Sequence, residues 1–232
     1  MRSWLTVVNW VVMVLLIQLH GGLCCWEEER LGLLDFKAFF KSNSEDAIDL
    51  LPSWLDDDYS DCCNWERVTC NSTTDRVTQL WLDNLNNNSL SDYYYIHYQP
   101  ENILFLNFSI FLPFKHLISL NLSMNNLFGS IGNAAPENLE LLDLSWNRFN
   151  SSLLPQDPSS FSRFRKLKHL DLSYNSFDNG ILRYLNHLPA ITSLSLASNN
   201  MGGPLSSHDF KNLSNLEKLY LTGNNFNGSL PF

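Results

Sequence analysis

Five cysteines, Cys24, Cys25, Cys62, Cys63 and Cys70, fall in the first third of the 232-residue chain and leave its last 162 residues without one. Thiols grouped in this way either hold a metal or form disulfides. No CxxC pair of the kind that builds a zinc knuckle occurs, so cross-linking is the expected chemistry. Of the possible pairs, adjacent Cys62 and Cys63 is sterically poor and Cys63 with Cys70 closes a short loop, which leaves Cys25 with Cys62 as the companion. This arithmetic needs Cys24 to leave with a cleaved segment; a cut after Gly22 would leave Cys24 over.

Carboxylates offer the next chemistry. Asp143 and Asp171 stand at matching places in LELLDLSWNRF and LKHLDLSYNSF, and His169 lies two residues before Asp171. Two carboxylates facing each other across a cleft are what glycoside hydrolysis asks for. Here the aspartates recur because the segment around them recurs, the six histidines are scattered, and no glycine-rich phosphate loop occurs. The chain reads as a non-enzyme, with no cofactor and no metal expected. Its formal charge of −9 argues against nucleic acid and anionic lipid as partners and leaves cationic or neutral ones. Asparagine, at 27 residues, supplies seven Asn-x-Ser/Thr sequons, at Asn71, Asn87, Asn107, Asn121, Asn150, Asn212 and Asn227, where N-linked glycans are expected on an exported chain.

Three kinds of element position these residues. Residues 4–19, WLTVVNWVVMVLLIQL, form a charge-free apolar run after Arg2 and before Gly21-Gly22, the pattern of an export signal over residues 1–24. Retention as an anchor is the competing reading, but the run falls short of the ~20 residues that span hydrocarbon. A cap over 25–75 follows, in which EEERLGLLDFKAFFKSN places Leu33, Phe36 and Phe40 on one helical face behind an acidic first turn. Leu50, Leu51, Trp54 and Leu55 add apolar cover, and Trp26, Trp54 and Trp65 are expected in the core.

From residue 76 to 232 the chain repeats itself. LISLNLSMNNL, LELLDLSWNRF, LKHLDLSYNSF, ITSLSLASNNM and LEKLYLTGNNF share LxxLxLxxNx with an apolar last residue, and VTQLWLDNL is a degenerate first copy. The copies begin at Val77, Leu117, Leu139, Leu167, Ile191 and Leu216, so the later period is 22 to 28 residues and marks a solenoid of about six turns, the last incomplete. Alternating leucines on short parallel strands would stack into one apolar column. Asn125, Asn147, Asn175, Asn199 and Asn224 form a structural ladder whose buried amides satisfy backbone groups. Gly203 and Gly228 allow tight bends after it. The first interval holds LNNNSLSDYYYIHYQPEN, read as a surface loop.

The cysteine cap CWEEERLGLLDFKAFF with DCCNWERVTC, followed by RVTQLWL and LNFSIFLPFKHLISLNLS, resembles the plant leucine-rich-repeat receptor-like proteins from about Cys25 onward. The resemblance implies an α/β solenoid: a right-handed, horseshoe-like superhelix with parallel strands on its concave face and a helical disulfide cap. It also implies a non-catalytic extracellular recognition module in defence or development signalling, at the plasma membrane or in the apoplast. The expected partners are a protein or peptide ligand and a co-receptor kinase; membrane contact is expected only through an uncleaved signal or sequence beyond this chain. Members resembling this chain carry more repeats, a second cysteine cap and a membrane helix, so a truncated receptor is expected. The alternatives are a secreted inhibitor similar to the polygalacturonase-inhibiting proteins, or a receptor fragment without function.

In such a solenoid the residues between the leucines vary on a constant frame, which suits recognition. Trp81, Asp143, Trp146, Asp171, Tyr174 and Tyr220 are the candidate ligand face, fitted to a partner with basic and apolar groups. The plainer reading of Trp146 and Tyr174 is that their rings cover the rim of the sheet. A glycan on Asn121, on the same face, would obstruct a ligand.

Overall fold

The computed structural model describes residues 25–42, 50–57, 60–85, 104–132 and 134–228. The expected export signal, the tyrosine-rich insertion with Asn87 and the last four residues lie outside these.

The acidic run after Trp26 opens helix α1 (Glu27–Lys41), where Glu27, Glu28 and Glu29 face the positive end of the helix dipole and Lys41 the negative end. Leu33, Phe36 and Phe40 form its buried face. Phe36 packs 5.8 Å from Phe111 of the repeat region, ring centre to ring centre, and Trp54 stacks on Trp65 at 5.7 Å. Cys25 is bonded to Cys62 and Cys63 to Cys70, each pair with Cα atoms 5.4 Å apart.

Two cap residues depart from the sequence expectation. Leu55 is exposed, and Trp26 is 50 % exposed instead of filling the core. The Trp26 indole N–H donates to the Thr74 carbonyl at 3.0 Å and its ring carries the Arg76 guanidinium at 3.5 Å, so it clasps the cap's outer surface. The reason is that it precedes the helix, where its side chain lies outside the buried stripe. Its neighbour Glu29 goes the other way: fully buried, it accepts the Val77 N–H at 3.0 Å and lies 3.7 Å from Arg76, fastening the helix to the first repeat.

Strand β1 (Val68–Cys70) pairs antiparallel with β2 (Val77–Trp81), so the cap supplies the first strand of the main sheet. The sheet then continues in parallel through β4 (Ser119–Asn121), β6 (Leu141–Asp143), β7 (His169–Asp171), β8 (Ser193–Ser195) and β10 (Lys218–Tyr220). Its register lines up Leu80, Leu120, Leu142, Leu170, Leu194 and Leu219 as one inward column. The first five are buried, each worth about 1.5–3 kcal/mol of burial, and no coil could collect this alone. Two smaller parallel sheets flank the solenoid: β3 (Leu104–Asn107) with β5 (Leu127–Ser130), and β9 (Gly202–Pro204) with β11 (Asn225–Asn227). Short helical turns, including α2 (Leu182–Leu185), return the chain between strands.

The asparagines stitch coil to coil. Asn147 Nδ2 donates to the carbonyls of Leu122, Leu144 and Ser145, each at 3.0 Å, while its Oδ1 accepts the N–H groups of Asn125 and Leu127 at 3.2 and 2.9 Å. Asn125 serves Leu82 and Leu85 of the coil before it, which explains how the first copy holds together with Leu85 in the asparagine place. Asn175, Asn199 and Asn224 accept in the same manner from Phe149, Phe177 and Met201.

Candidate recognition face

Outward along the sheet, the register sets Trp81, Asn121, Asp143, Asp171, Ser195 and Tyr220 side by side, one from each coil. The frame repeats in every coil, whereas this row is alike only in Asp143 and Asp171.

Its acids are held by their own turns. Asn121 Oδ1 accepts the Ser123 N–H at 2.9 Å, Asp143 Oδ1 that of Ser145 at 2.9 Å, and Asp171 Oδ1 that of Ser173 at 2.8 Å with the Ser173 hydroxyl at 2.6 Å. The side chain two residues before the serine ends each strand, so part of what the sequence offered as ligand chemistry is turn chemistry. A carboxylate has about four acceptor sites, which leaves capacity on both aspartates. Burial pushes the Asp143 carboxyl above its ordinary value; the hydrogen bonds from Ser145 oppose this, and the charges of Asp171 and Asp83 reinforce it. Glu140 is paired with Lys168 at 2.7 Å and Asp83 with Arg67 at 3.5 Å, whereas among the described residues no lysine or arginine pairs with Asp143 or Asp171.

The residue before each ladder position, which Leu85 fills in the first coil and an asparagine in the other five, takes a left-handed backbone: Asn84 (φ 47°), Met124 (60°), Trp146 (55°), Tyr174 (51°), Ser198 (52°) and Gly223 (73°). Its N–H is thereby aimed at the next coil, as Trp146 to the Ser173 carbonyl at 2.9 Å and Tyr174 to that of Ala197 at 2.8 Å. The same twist throws the side chain onto the rim. Two successive coils place aromatics there, and the Trp146 and Tyr174 rings stack with centroids 3.7 Å apart and planes 11° from parallel. Tyr174 stays 39 % exposed.

The structure gathers three of the six candidate residues. Asp143, Asp171 and Tyr220 line a depression of about 430 Å³ with Leu141, His169, Ser193 and Ser195. The Trp146–Tyr174 stack lies three residues beyond the aspartates in the same two coils. Trp81 is exposed on β2, two strands from β6, and does not reach this depression. His169 and Ser193 went unremarked as lining residues in the sequence; their signal was the place before the inner leucine, two residues ahead of Asp171 and of Ser195. Of the sequons, Asn71, Asn107, Asn212 and Asn227 are exposed, Asn150 is half-buried, and Asn121 is half-buried between Trp81 and Asp143. No group of three or more potential metal ligands occurs among the described residues.

A disulfide-capped α/β solenoid with a parallel concave sheet and an asparagine ladder defines the class: this is a leucine-rich-repeat protein. The family profile described as Leucine rich repeat N-terminal domain matches residues 27–71, and that described as Leucine Rich Repeat matches 138–163, 166–188 and 215–232. The chain is of the plant receptor-like type. It is 36 % identical over 222 residues to Receptor like protein 21 of Arabidopsis thaliana and 37 % identical over 206 residues to Receptor-like protein 56, matches that take in 94 % and 88 % of this chain. They take in 19 % and 18 % of those relatives, so the chain spans about a fifth of their length. Among solved structures it is similar to the ectodomain of the Arabidopsis receptor kinase SOBIR1 (TM-score 0.57, 22 % identity, 89 % of this chain and 98 % of that one). It is also similar to the Arabidopsis receptor kinase HAESA, solved in complex with the peptide hormone IDA and the co-receptor SERK1 (TM-score 0.59, 27 % identity, 89 % of this chain and 35 % of that one).

Proposed function

We propose that this chain forms the N-terminal section of the ligand-sensing ectodomain of a plant cell-surface receptor-like protein. It works outside the cell, without catalysis, and receives a protein or peptide on its concave face, with a co-receptor kinase passing the signal on. The observation that carries this reading is the contrast within the sheet, where a constant inward leucine column supports an outward row of Trp81, Asn121, Asp143, Asp171, Ser195 and Tyr220, alike in only one pair of neighbouring coils. The similarity to HAESA, which was solved with a peptide and a co-receptor, supports a peptide as the ligand class. The two disulfides suit an oxidising compartment, in keeping with an export signal over residues 1–24. Glycans on the exposed Asn71, Asn107, Asn212 and Asn227 would keep the flanks soluble while leaving the middle of the sheet open.

The test is hydrogen exchange on the secreted chain in the presence of random-sequence peptide pools. Protection confined to β6, β7, β8 and β10, and lost in Tyr174→Ser, is the expected result. Protection on α1 or on the flanking sheets, or no binding from any pool, would overturn it.

A further inference from the structure

The aspartates and the aromatic stack belong to the same two coils, and that coincidence says more about the ligand than its being a peptide. Asp143 and Asp171 are registered partners on neighbouring parallel strands, so their backbones are about 4.8 Å apart. Each has its Oδ1 tied to its turn, a carboxylate has acceptor capacity beyond such a bond, and among the described residues neither is neutralised by a lysine or arginine. The depression they line is closed at one end by Tyr220, itself 51 % exposed, with the Ser193 and Ser195 side chains between. Beyond the aspartates on the rim lies the flat Trp146–Tyr174 stack. At about 430 Å³ the depression stands at the low end of the roughly 300–1,000 Å³ usual for ligand sites, room for side chains and not for a folded domain.

Resting on the reading above, we infer that this part of the concave face docks an extended peptide carrying an arginine, whose guanidinium lies between Asp143 and Asp171 while an adjacent apolar residue packs against the Trp146–Tyr174 stack. Charge complementarity selects the occupant. Two carboxylates one strand spacing apart repel each other, and a planar cation that can donate to both removes that repulsion. The guanidinium is also the cation that suits an aromatic wall such as Tyr220. The overall charge of −9 draws such a peptide in from a distance. A neutral peptide of the same shape would still find the aromatic shelf, but would leave the two aspartates without a partner.

The turn geometry supplies a clean variant. Asn121 occupies the same place in the preceding coil and makes the same turn bond, at 2.9 Å, so Asp143→Asn with Asp171→Asn removes both charges while keeping the fold; because each change creates an Asn-Leu-Ser sequon, wild type and variant are both produced in a host without N-glycosylation. The experiment compares two fluorescein-labelled octapeptide pools, randomised over neutral residues, with arginine fixed at one central position in the first and citrulline, its neutral isostere, in the second. Wild-type chain is expected to bind the arginine pool about tenfold tighter, a difference of about 1.4 kcal/mol, and the double variant to bind both pools alike. Equal binding of the two pools by the wild type, or a preference that survives the double substitution, overturns this inference and leaves the concave face as a peptide site. If neither pool binds, or binding is unchanged in Tyr174→Ser, the underlying reading of the concave face fails with it.

Discussion

Asn147 shows what one side chain does in this solenoid. Its amide makes three donated and two accepted bonds across two coils, in a position 5 % exposed. Replacing it with alanine strands buried carbonyls and N–H groups that have no water to turn to. Asn147→Ala is expected to cost about 3–4 kcal/mol in urea unfolding, a sum of several unsatisfied groups at about 1 kcal/mol or more each; a loss under about 1 kcal/mol would mean that the ladder is dispensable. Asp143 makes a prediction of opposite sign. Its folded pKa is raised by burial, so the stability it contributes is present while it is protonated and is lost as pH rises through that raised value. Asp143→Asn, made in a host without N-glycosylation because the change creates an Asn-Leu-Ser sequon, should therefore raise Tm at neutral pH and make Tm less dependent on pH in the weakly acid range, as followed by circular dichroism. His169, Asp171, Asp83, Glu140 and Lys168 are the ionisable groups around it, and all are kept in that variant.

At the scale of elements, the cap is where covalent and packing forces meet. The two disulfides close stretches of different length, with sequence separations of 37 and 7 residues. On the chain-entropy account, Cys25→Ser with Cys62→Ser should lose about 4 kcal/mol, and Cys63→Ser with Cys70→Ser about 2.5 kcal/mol. Differential scanning calorimetry of the two variants should thus find the first less stable; the reverse order would mean that the short loop stiffens the β1–β2 junction beyond its entropy. Glu29 joins the same region. Burial pushes its carboxyl upward, against the Val77 N–H and Arg76, so it too gives its stability on the acid side and loses it as pH rises through its folded value. The lowered Glu27, held by its hydrogen bond from Arg30, works the other way and loses stability as pH falls through its folded value.

Over the whole molecule, each coil contacts its neighbours and passes its register on, so the chain behaves as a one-dimensional stack. A disturbance in the middle of that stack should uncouple the two ends: in Asn147→Ala, amide exchange is expected to accelerate in β4 and β6 more than in β1 and β2, which the disulfide-bonded cap secures. Uniform acceleration along the sheet would instead indicate all-or-none cooperativity.

Much of this was legible in the amino-acid order. The LxxLxL spacing, the recurring asparagine and the clustered cysteines act through chain neighbours or the adjacent coil, and short-range forces write themselves into short-range patterns. Hence the solenoid, its leucine column and its ladder follow from residues 77 to 227 alone. What lay hidden depends on alignment across coils of unequal length. Intervals of 22, 28 and 24 residues separate the middle copies, and while the matching places of Asp143 and Asp171 could be read from the repeat, the folded sheet decides that Tyr220 shares their depression and that Trp81 does not. Likewise the left-handed turn that stacks Trp146 on Tyr174, the exposure of Trp26 and the burial of Glu29 are settled by which backbone groups need a partner once neighbouring coils close on one another. The sequence by itself determined the frame, because the frame is periodic; the tertiary structure decided the surface, because that depends on what each coil finds beside it.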